Sequence, residues 1–591
     1  MASTGGGPAA PTPLSRALDT VKRLRAELDE IRKPRPLAVV GIGLRLPGAL
    51  ADLGSFWDAL ASGRDLVRPL PENRREPFGA EWDEVPIRAG YLPEILDFDA
   101  DFFGINPREA AELDPQQRLS LEVAWEALED AALPPGRPES PKTGLFIGIA
   151  NQDYGDWRPA EPGAGWVIGN ARCFAPGRVA HTLGLTGPVL AVDTACSSSL
   201  VAVHLARQAL DRGECEIALA GGVNVIASPD STRLLSRFGL LAPDGLCKSF
   251  DARANGFTRA EGCGMVVLKP LDRALRDGDR IHAVLHGSAV NHDGRSASMA
   301  APNVRAQTDL VRTALADAGL TADDIGVLEA HGTGTAAGDP IEMEAVAAAL
   351  GRPDDRPPLW VGTVKANMGH LESAAGIAGF IKAVLCLQHR AVPPLAHFQT
   401  LNPRIDLAGT GIRIPTSLEP WTGDQARYAA VSSFGMSGTN AHAVLGPPPV
   451  ASAPESAPKP AAVTGFELSA RDPEALRALA DAYHDRLAGL AAAEYPAFAY
   501  TATEGRARHR LRARVLAEDP ATASKALRAL AEGLPSDAVT IVANGSVPNG
   551  DDLGEAVLVA PLPRAVVDLP HYPWQRRRYA VEPAHLGLPA M

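Results

Sequence analysis

The stretch Ala191-Val192-Asp193-Thr194-Ala195-Cys196-Ser197-Ser198-Ser199-Leu200 constrains the fold more than any other. Before it, Gly187 to Val192 is short, apolar and β-branched, which predicts a buried strand. After it, Ser198 to Leu210 holds good helix formers with no Gly or Pro, which predicts a helix with Ser197 or Ser198 as N-cap. Cys196 then sits on a sharp strand-to-helix turn at the helix N-terminus. There, unpaired N–H groups and the helix dipole would lower the thiol pKa and could hold a developing oxyanion. The competing reading is a buried structural cysteine, which is what most free cysteines are.

Two further loops bear on that choice. Glu329-Ala330-His331-Gly332-Thr333-Gly334-Thr335 follows the apolar run Ile325 to Leu328, and Lys365-Ala366-Asn367-Met368-Gly369-His370 follows Leu359 to Val364. Each sets a His at a strand end, among small residues that admit a ligand close to the backbone. One such His reads as a satisfied loop residue. One Cys and two His, each at a strand end beside Gly or Ser, read as a site.

These blocks occur together with others: Val40-Gly41-Ile42-Gly43, Phe102-Phe103-Gly104, Asp114-Pro115-Gln116-Gln117-Arg118, Gly338-Asp339-Pro340 and Ser432-Ser433-Phe434-Gly435-Met436-Ser437-Gly438-Thr439-Asn440-Ala441-His442. In this order they resemble the β-ketoacyl synthase (ketosynthase) of modular type I polyketide synthases, over about Pro36 to Leu445. The resemblance implies an α/β thiolase fold: two βαβαβαββ halves layered α/β/α/β/α, Cys196 in the first and both His in the second. No repeat is visible in the residues themselves.

Composition sets outer bounds. At 591 residues the chain should hold more than one domain, and 46% hydrophobic residues suffice for a large core. A formal net charge of −13 over this length argues against a nucleic-acid surface. The six cysteines show no CxxC or metal-ligand spacing, so no metal is expected and reduced thiols are. No apolar run reaches the roughly 18 residues a bilayer needs, and no secretory signal opens the chain, so the expected compartment is the cytoplasm.

Residues 1–12 are Gly-, Ala- and Pro-rich and read as disordered. Within 13–33, Leu14, Ala17, Val21, Leu24, Leu28 and Ile31 form an a/d stripe, which reads as a short parallel coiled coil or as an amphipathic helix packed on its own domain. By resemblance this helix docks on an upstream synthase subunit. Leu37 to Val40 predicts the first strand, with Gly41 and Gly43 in a close turn; the pair lacks the third Gly and helix start of a dinucleotide fingerprint. Asp114 to Asp130 predicts a long helix. Strand–helix alternation then continues through Glu216 to Ile226, Ile281 to Val290, and Val304 to Leu320, as in a mostly parallel sheet covered by helices.

The ketosynthase region is placed at 36–446 and a Pro/Ala/Ser linker at 447–462. Residues 463–544 resemble the small α/β domain between ketosynthase and acyltransferase, with a strand at Gly465 to Leu468 and helices at Asp472 to Ala488 and Ala521 to Glu532. A connector at 545–568 leads to 569–591, which resembles the strap that follows the acyltransferase and wraps back. The family usually has an aromatic where Ala580 stands. The run Arg576-Arg577-Arg578 reads as a solvated face or a weak phosphate contact. Between these two linkers the family carries an acyltransferase with a Gly-His-Ser-x-Gly elbow, and this sequence has no such elbow.

The resemblance implies the chemistry. Cys196 takes an acyl chain from an acyl carrier protein, and a carrier-bound malonyl-type extender then loses CO2 and attacks it in a Claisen condensation. His331 and His370 would donate N–H groups to the enolate, with His331 assisting carboxylate departure, and Lys365 would supply a fixed positive charge. The backbone N–H groups of Cys196 and Met436 would form the oxyanion hole, and Met436 with Phe434 would gate it. Thr333 and Thr335 would bind the pantetheine amides, the alternative being simple loop hydrogen bonding. No cofactor is bound directly; phosphopantetheine arrives on the carrier. The implied partners are a second copy of the chain, acyl carrier proteins and a trans-acting acyltransferase. The second functional reading is acyl transfer or off-loading to another nucleophile without elongation.

Overall fold

The computed structural model describes residues 20, 22–23, 35–135, 141–159, 161–421, 427–449, 463–543 and 564–581. Residues 1–35 form one unit, in which Thr20, Lys22 and Arg23 are helical; all six residues of the heptad stripe lie outside the described residues.

In the second unit, from Pro36 onward, eleven strands form one sheet. The first half supplies β1 (Leu37–Arg45), β2 (Thr143–Gly148), β3 (Val189–Val192), β4 (Ile217–Asn224) and β5 (Gly262–Pro270). The second half supplies β6 (Ala283–His292), β7 (Ile325–Glu329), β8 (Leu359–Gly362), the two-residue edge β9 (Ile412–Arg413), β10 (Tyr428–Phe434) and β11 (Thr439–Gly446). Their spatial order is β9-β8-β7-β10-β11-β6-β1-β5-β4-β2-β3.

Numbered within each half, and setting β9 aside, both halves run third, second, fourth, fifth, first. In both, the second strand is parallel to the third and fourth, and the remaining neighbours are antiparallel. The fold is therefore an internal repeat, the thiolase arrangement. A three-residue antiparallel pairing, Leu37 with Leu285 to Val39 with Ala283, joins the halves edge to edge.

The layers follow from strand alternation. In β1, Ala38 and Val40 face an outer core over helix α1 (Pro115–Asp130), whereas Leu37 and Val39 face the middle layer. A bulge between Val39 and Gly41 shifts the register, so Ile42 and Leu44 also face the middle layer. Gly41 and Gly43 thus turn toward α1. A Cβ on Gly41 would lie 2.2 Å from the Ala127 carbonyl oxygen, and one on Gly43 2.3 Å from that of Val123. These glycines lie inside a strand that runs on to Arg45, not in the expected turn; their function is to let α1 close on the sheet.

The middle layer holds α2 (Ser198–Asp211) and α3 (Ala375–His389), each the first long helix after the third strand of its half. They meet near their N-termini, where the Ile377 N–H donates to Ser199 Oγ at 3.0 Å and a Cβ on Gly376 would touch Leu200. Contrary to expectation β3 is an edge strand, and Leu190 and Ala191 on it are exposed because only β2 flanks it.

Beyond Val463 a three-stranded antiparallel sheet, β12 (Phe466–Ala470), β13 (Leu511–Val515) and β14 (Val539–Ala543), packs with helices Pro473–Ala488 and Pro520–Glu532. Its core is continuous with that over α1. Residues 564–581 lie along the acidic, fully buried face of α1. The Tyr572 N–H donates to Glu129 at 2.9 Å, Trp574 Nε1–H to Glu126 at 2.6 Å and Arg576 to Glu122 at 2.7 Å. Arg576 is thus the partner of a buried carboxylate and not part of a solvated run, while Arg577 and Arg578 are exposed and pair with Asp97–Phe98. Residues 544–563, which hold most of the expected connector, lie outside the described residues.

Candidate active site

Cys196 follows β3 on a turn in which Ala195 has φ +56°, a left-handed conformation that costs a residue with a Cβ. Neither serine caps α2 through its side chain. Ser197 Oγ donates to the Thr194 carbonyl at 3.0 Å and Ser198 Oγ to that of Ala195 at 2.6 Å, so both hydroxyls hold the strained turn shut. Ser433 on β10 fixes the turn from the other half, its hydroxyl donating to the Cys196 carbonyl at 2.8 Å.

The thiol differs from expectation. Burial, followed by the Glu372 carboxylate, pushes Cys196 up to about 12. Hydrogen bonding from the backbone N–H groups of Met436 and of Cys196 itself, and the charge of Lys365, act in the opposite direction but do not prevail. The resting nucleophile is a thiol flanked by the two N–H groups expected to form the oxyanion hole.

His331 and His370 meet with ring centroids 5.6 Å apart and planes at 85°. Burial first, then the charge of Lys365, holds both imidazoles well below the usual histidine range, so both are neutral. The Phe434 N–H donates to His331 Nδ1 at 3.3 Å and the Glu372 N–H to His370 Nδ1 at 3.1 Å. In a neutral imidazole an accepting Nδ1 leaves the proton on Nε2. Two Nε2–H donors result, and that of His370 is buried with no acceptor among the described residues.

Lys365 is 2% exposed, and burial lowers its ammonium while Glu329 and Glu342 oppose the shift. Glu342 accepts the His331 and Gly332 N–H groups at 2.7 and 2.8 Å, fixing the loop that carries His331. Thr333 and Thr335 place their hydroxyls 3.2 Å apart, and the Thr335 hydroxyl also accepts the Gly338 N–H at 3.2 Å, a loop bond of the kind weighed above. Phe434 is buried with its ring against His331, and Met436 is 43% exposed.

Cys196, both His, both Thr, Phe434 and Met436 all line one cavity of about 370 Å³. Glu372, Asn151 and Ser231 line it too, and the sequence reading did not single them out. Glu372 was detectable only as an acid two residues past His370. Among the described residues no cluster of His, Cys, Asp or Glu is arranged to hold a metal, and no helix is long and apolar enough to cross a membrane.

Three family profiles match: β-ketoacyl synthase N-terminal domain over residues 34–274, its C-terminal domain over 282–399, and the ketoacyl-synthetase C-terminal extension over 402–516. One phenolphthiocerol/phthiocerol polyketide synthase protein of Mycobacterium tuberculosis is 47% identical over 519 residues, covering 85% of this chain and 28% of that protein. Another component of the same synthase is 44% identical over 555 residues, covering 91% and 29%. The chain thus spans less than a third of the length of these relatives.

Among solved structures, the ketosynthase from module 6 of the Bacillus subtilis bacillaene synthase superposes with a TM-score of 0.80 at 32% identity, covering 92% of this chain and all of that one. The oxazolomycin ketosynthase domain OzmH KS7 of Streptomyces albus gives 0.82 at 34%, covering 92% and 98%. With the repeat, the elbow and the paired imidazoles, these matches show that the chain belongs to the β-ketoacyl synthase family, as a ketosynthase of the polyketide synthase type.

Proposed function

We propose that Cys196 is the acylated residue and that the chain extends the acyl group by decarboxylative condensation. The observation that supports this best is the pair of neutral imidazoles with both Nδ1 atoms occupied by backbone N–H groups. In the first step the Cys196 sulfur attacks a carrier thioester; a new C–S bond forms, the old one breaks, and the thiol proton leaves with the pantetheine sulfur. In the second, an extender carboxylate departs as CO2 and its electron pair forms an enolate on the thioester carbonyl. Two Nε2–H donors then stabilise that oxygen, that of His370 from a buried ring. The enolate carbon attacks the acyl carbonyl, whose oxygen faces the Cys196 and Met436 N–H groups, and the sulfur leaves. Imidazoles whose Nδ1 atoms already accept backbone N–H groups suit this role, because a hydrolase would need one such nitrogen free as a base for water.

Thr333 and Thr335 serve the pantetheine that the carrier brings. The exposed apolar edge β3 supports pairing with a second copy of the chain, since an unpaired apolar edge is otherwise an association hazard. Because no Gly-His-Ser-x-Gly elbow stands between residues 463–544 and 569–591, where the family carries its acyltransferase, the extender is loaded by an acyltransferase outside this stretch. The domain boundaries given above, and docking of 13–33 on an upstream synthase protein, are part of the same reading. The alternative, transfer to another nucleophile without elongation, leaves the paired donors without a use.

The test is extender dependence. With an acyl donor, malonyl-coenzyme A and an unloaded holo-carrier, the protein alone should make no β-ketoacyl product. A preloaded malonyl-carrier should give one. Product without preloading would refute separate loading, and acyl-enzyme that never elongates on a malonyl-carrier would favour transfer.

A further inference from the structure

Glu372 is an unexpected group beside a thioester. It stands at φ +49°, its carboxylate lines the cavity, and it is 9% exposed. Arg259, itself 3% exposed, donates to it through Nε at 2.5 Å and Nη2 at 3.2 Å, and Asn151 Nδ2 donates to it as well. The same guanidinium reaches Ser231 Oγ and Thr232 Oγ1, each at 2.7 Å. Asn151, Ser231 and Glu372 therefore form one polar wall of the cavity, tied together behind by Arg259.

The donors and acceptors on that wall are unbalanced. The Asn151 amide hydrogens are spent on Asn224 at 2.8 Å and on Glu372, and the Ser231 hydroxyl proton is spent on Asp153 at 2.9 Å. What remains on the wall is acceptor capacity: the Glu372 lone pair not taken by Arg259 and Asn151, and the Asn151 side-chain carbonyl. A saturated chain laid on this wall would strip water from those acceptors and return nothing, whereas a hydroxyl would donate to them. A ketone, with no proton to give, would gain as little as the alkyl chain. Beside the wall, Leu234, Leu235, Leu240 and Phe257 line the cavity and suit an apolar remainder.

Among the described residues no hydrogen bond links this wall to the Thr333/Thr335 pair. With that pair on the pantetheine, the wall falls to the acyl group, since Glu372, Asn151 and Ser231 line the same cavity as Cys196. We infer that the Glu372–Asn151–Ser231 wall selects acyl chains bearing a hydroxyl within the first few carbons of the thioester over saturated or keto chains. Glu372 is then the specificity-determining residue. The inference rests on Cys196 being the acylated residue.

The test is a competition between S-butyryl-, S-(3-oxobutyryl)- and S-(3-hydroxybutyryl)-pantetheine for the full chain, read as the ratio of adducts on Cys196 by peptide mass. The parent should favour the hydroxy chain by about tenfold or more. Glu372→Leu should bring that preference to about parity, Glu372→Gln should keep part of it, and Ser231→Ala should lower it a few-fold. A ratio corrects for any general loss of reactivity. If Glu372→Leu does not fold, Glu372→Gln and Ser231→Ala decide. Equal loading by the parent, or a preference unchanged in the variants, overturns the selection while leaving the acylation of Cys196 intact. Failure of all three donors to acylate Cys196 overturns that assignment and this one together.

Discussion

The Nε2–H of His370 is buried without an acceptor among the described residues, while its ring stands 5.6 Å from that of His331. Two donors lining one cavity are costly unless something negative arrives there. His331→Ala and His370→Ala should each still accept an acyl group on Cys196, yet lose roughly 10²–10⁴-fold in condensation. Single-turnover assays from pre-acylated enzyme separate the steps. Because both imidazoles lie well below the usual histidine range, that condensation rate should show no inflection between pH 6 and 8. Parent-like condensation in both variants would remove the assigned roles.

Cys196 is pushed up to about 12, so its thiolate fraction should rise about tenfold per pH unit through the accessible range. Alkylation by iodoacetamide, read at the Cys196 peptide to exclude exposed Cys173, should climb from pH 7 to 10 without a plateau. Glu372→Gln removes a negative charge that disfavours the thiolate and should speed alkylation at every pH. A plateau below pH 8 would mean that the turn does hold a thiolate.

The exposed apolar edge β3 gives a third expectation. Leu190→Asp should convert a dimer to monomer in light scattering, since a charge on that edge blocks strand pairing. Deletion of residues 1–33 should leave the dimer intact. The reverse pattern would assign association to the N-terminal helix.

His571 tests the strap. Its pKa is raised: burial opposes protonation, but Glu129, Glu126 and Asp130 on α1 outweigh it. Its Nδ1 lies 3.7 Å from Glu129, too far for a hydrogen bond, so the attraction is one of charge. A group whose folded pKa exceeds its unfolded value stabilises fully below the unfolded pKa and loses that contribution as pH rises through the folded one. His571→Gln should therefore lower Tm by about 2 °C or more at pH 5.5, with a smaller gap at pH 8.5. An equal gap at both pH values would show that only packing is lost.

The turn at Cys196 and the loops of His331 and His370 were legible because each is local: strand, small residues, helix. Their tautomers were not, since the N–H groups that set them come from Phe434, 103 residues from His331, and from a backbone twist at Glu372. The repeat was invisible because pairing order is non-local and different side chains can fill the same layer. Gly41 and Gly43 read as a turn because sequence shows a missing side chain, not the helix that requires its absence. Strand Leu511–Val515 was missed because alternating Arg hid its short inward face, Ala513 and Val515.

The acidic face of α1 bears on how such synthases can be rearranged. Glu122, Glu126 and Glu129 are interior groups; Arg45 also bonds Glu126, but Tyr572, Trp574 and Arg576, which complete the partners of the three, lie more than 430 positions further along the chain. A crossover between two assembly lines that fell anywhere in that interval would pair one parent's carboxylates with the other parent's cations and ring N–H groups. Whether a hybrid folds would then depend on those few side chains matching, however well its catalytic residues had been inherited.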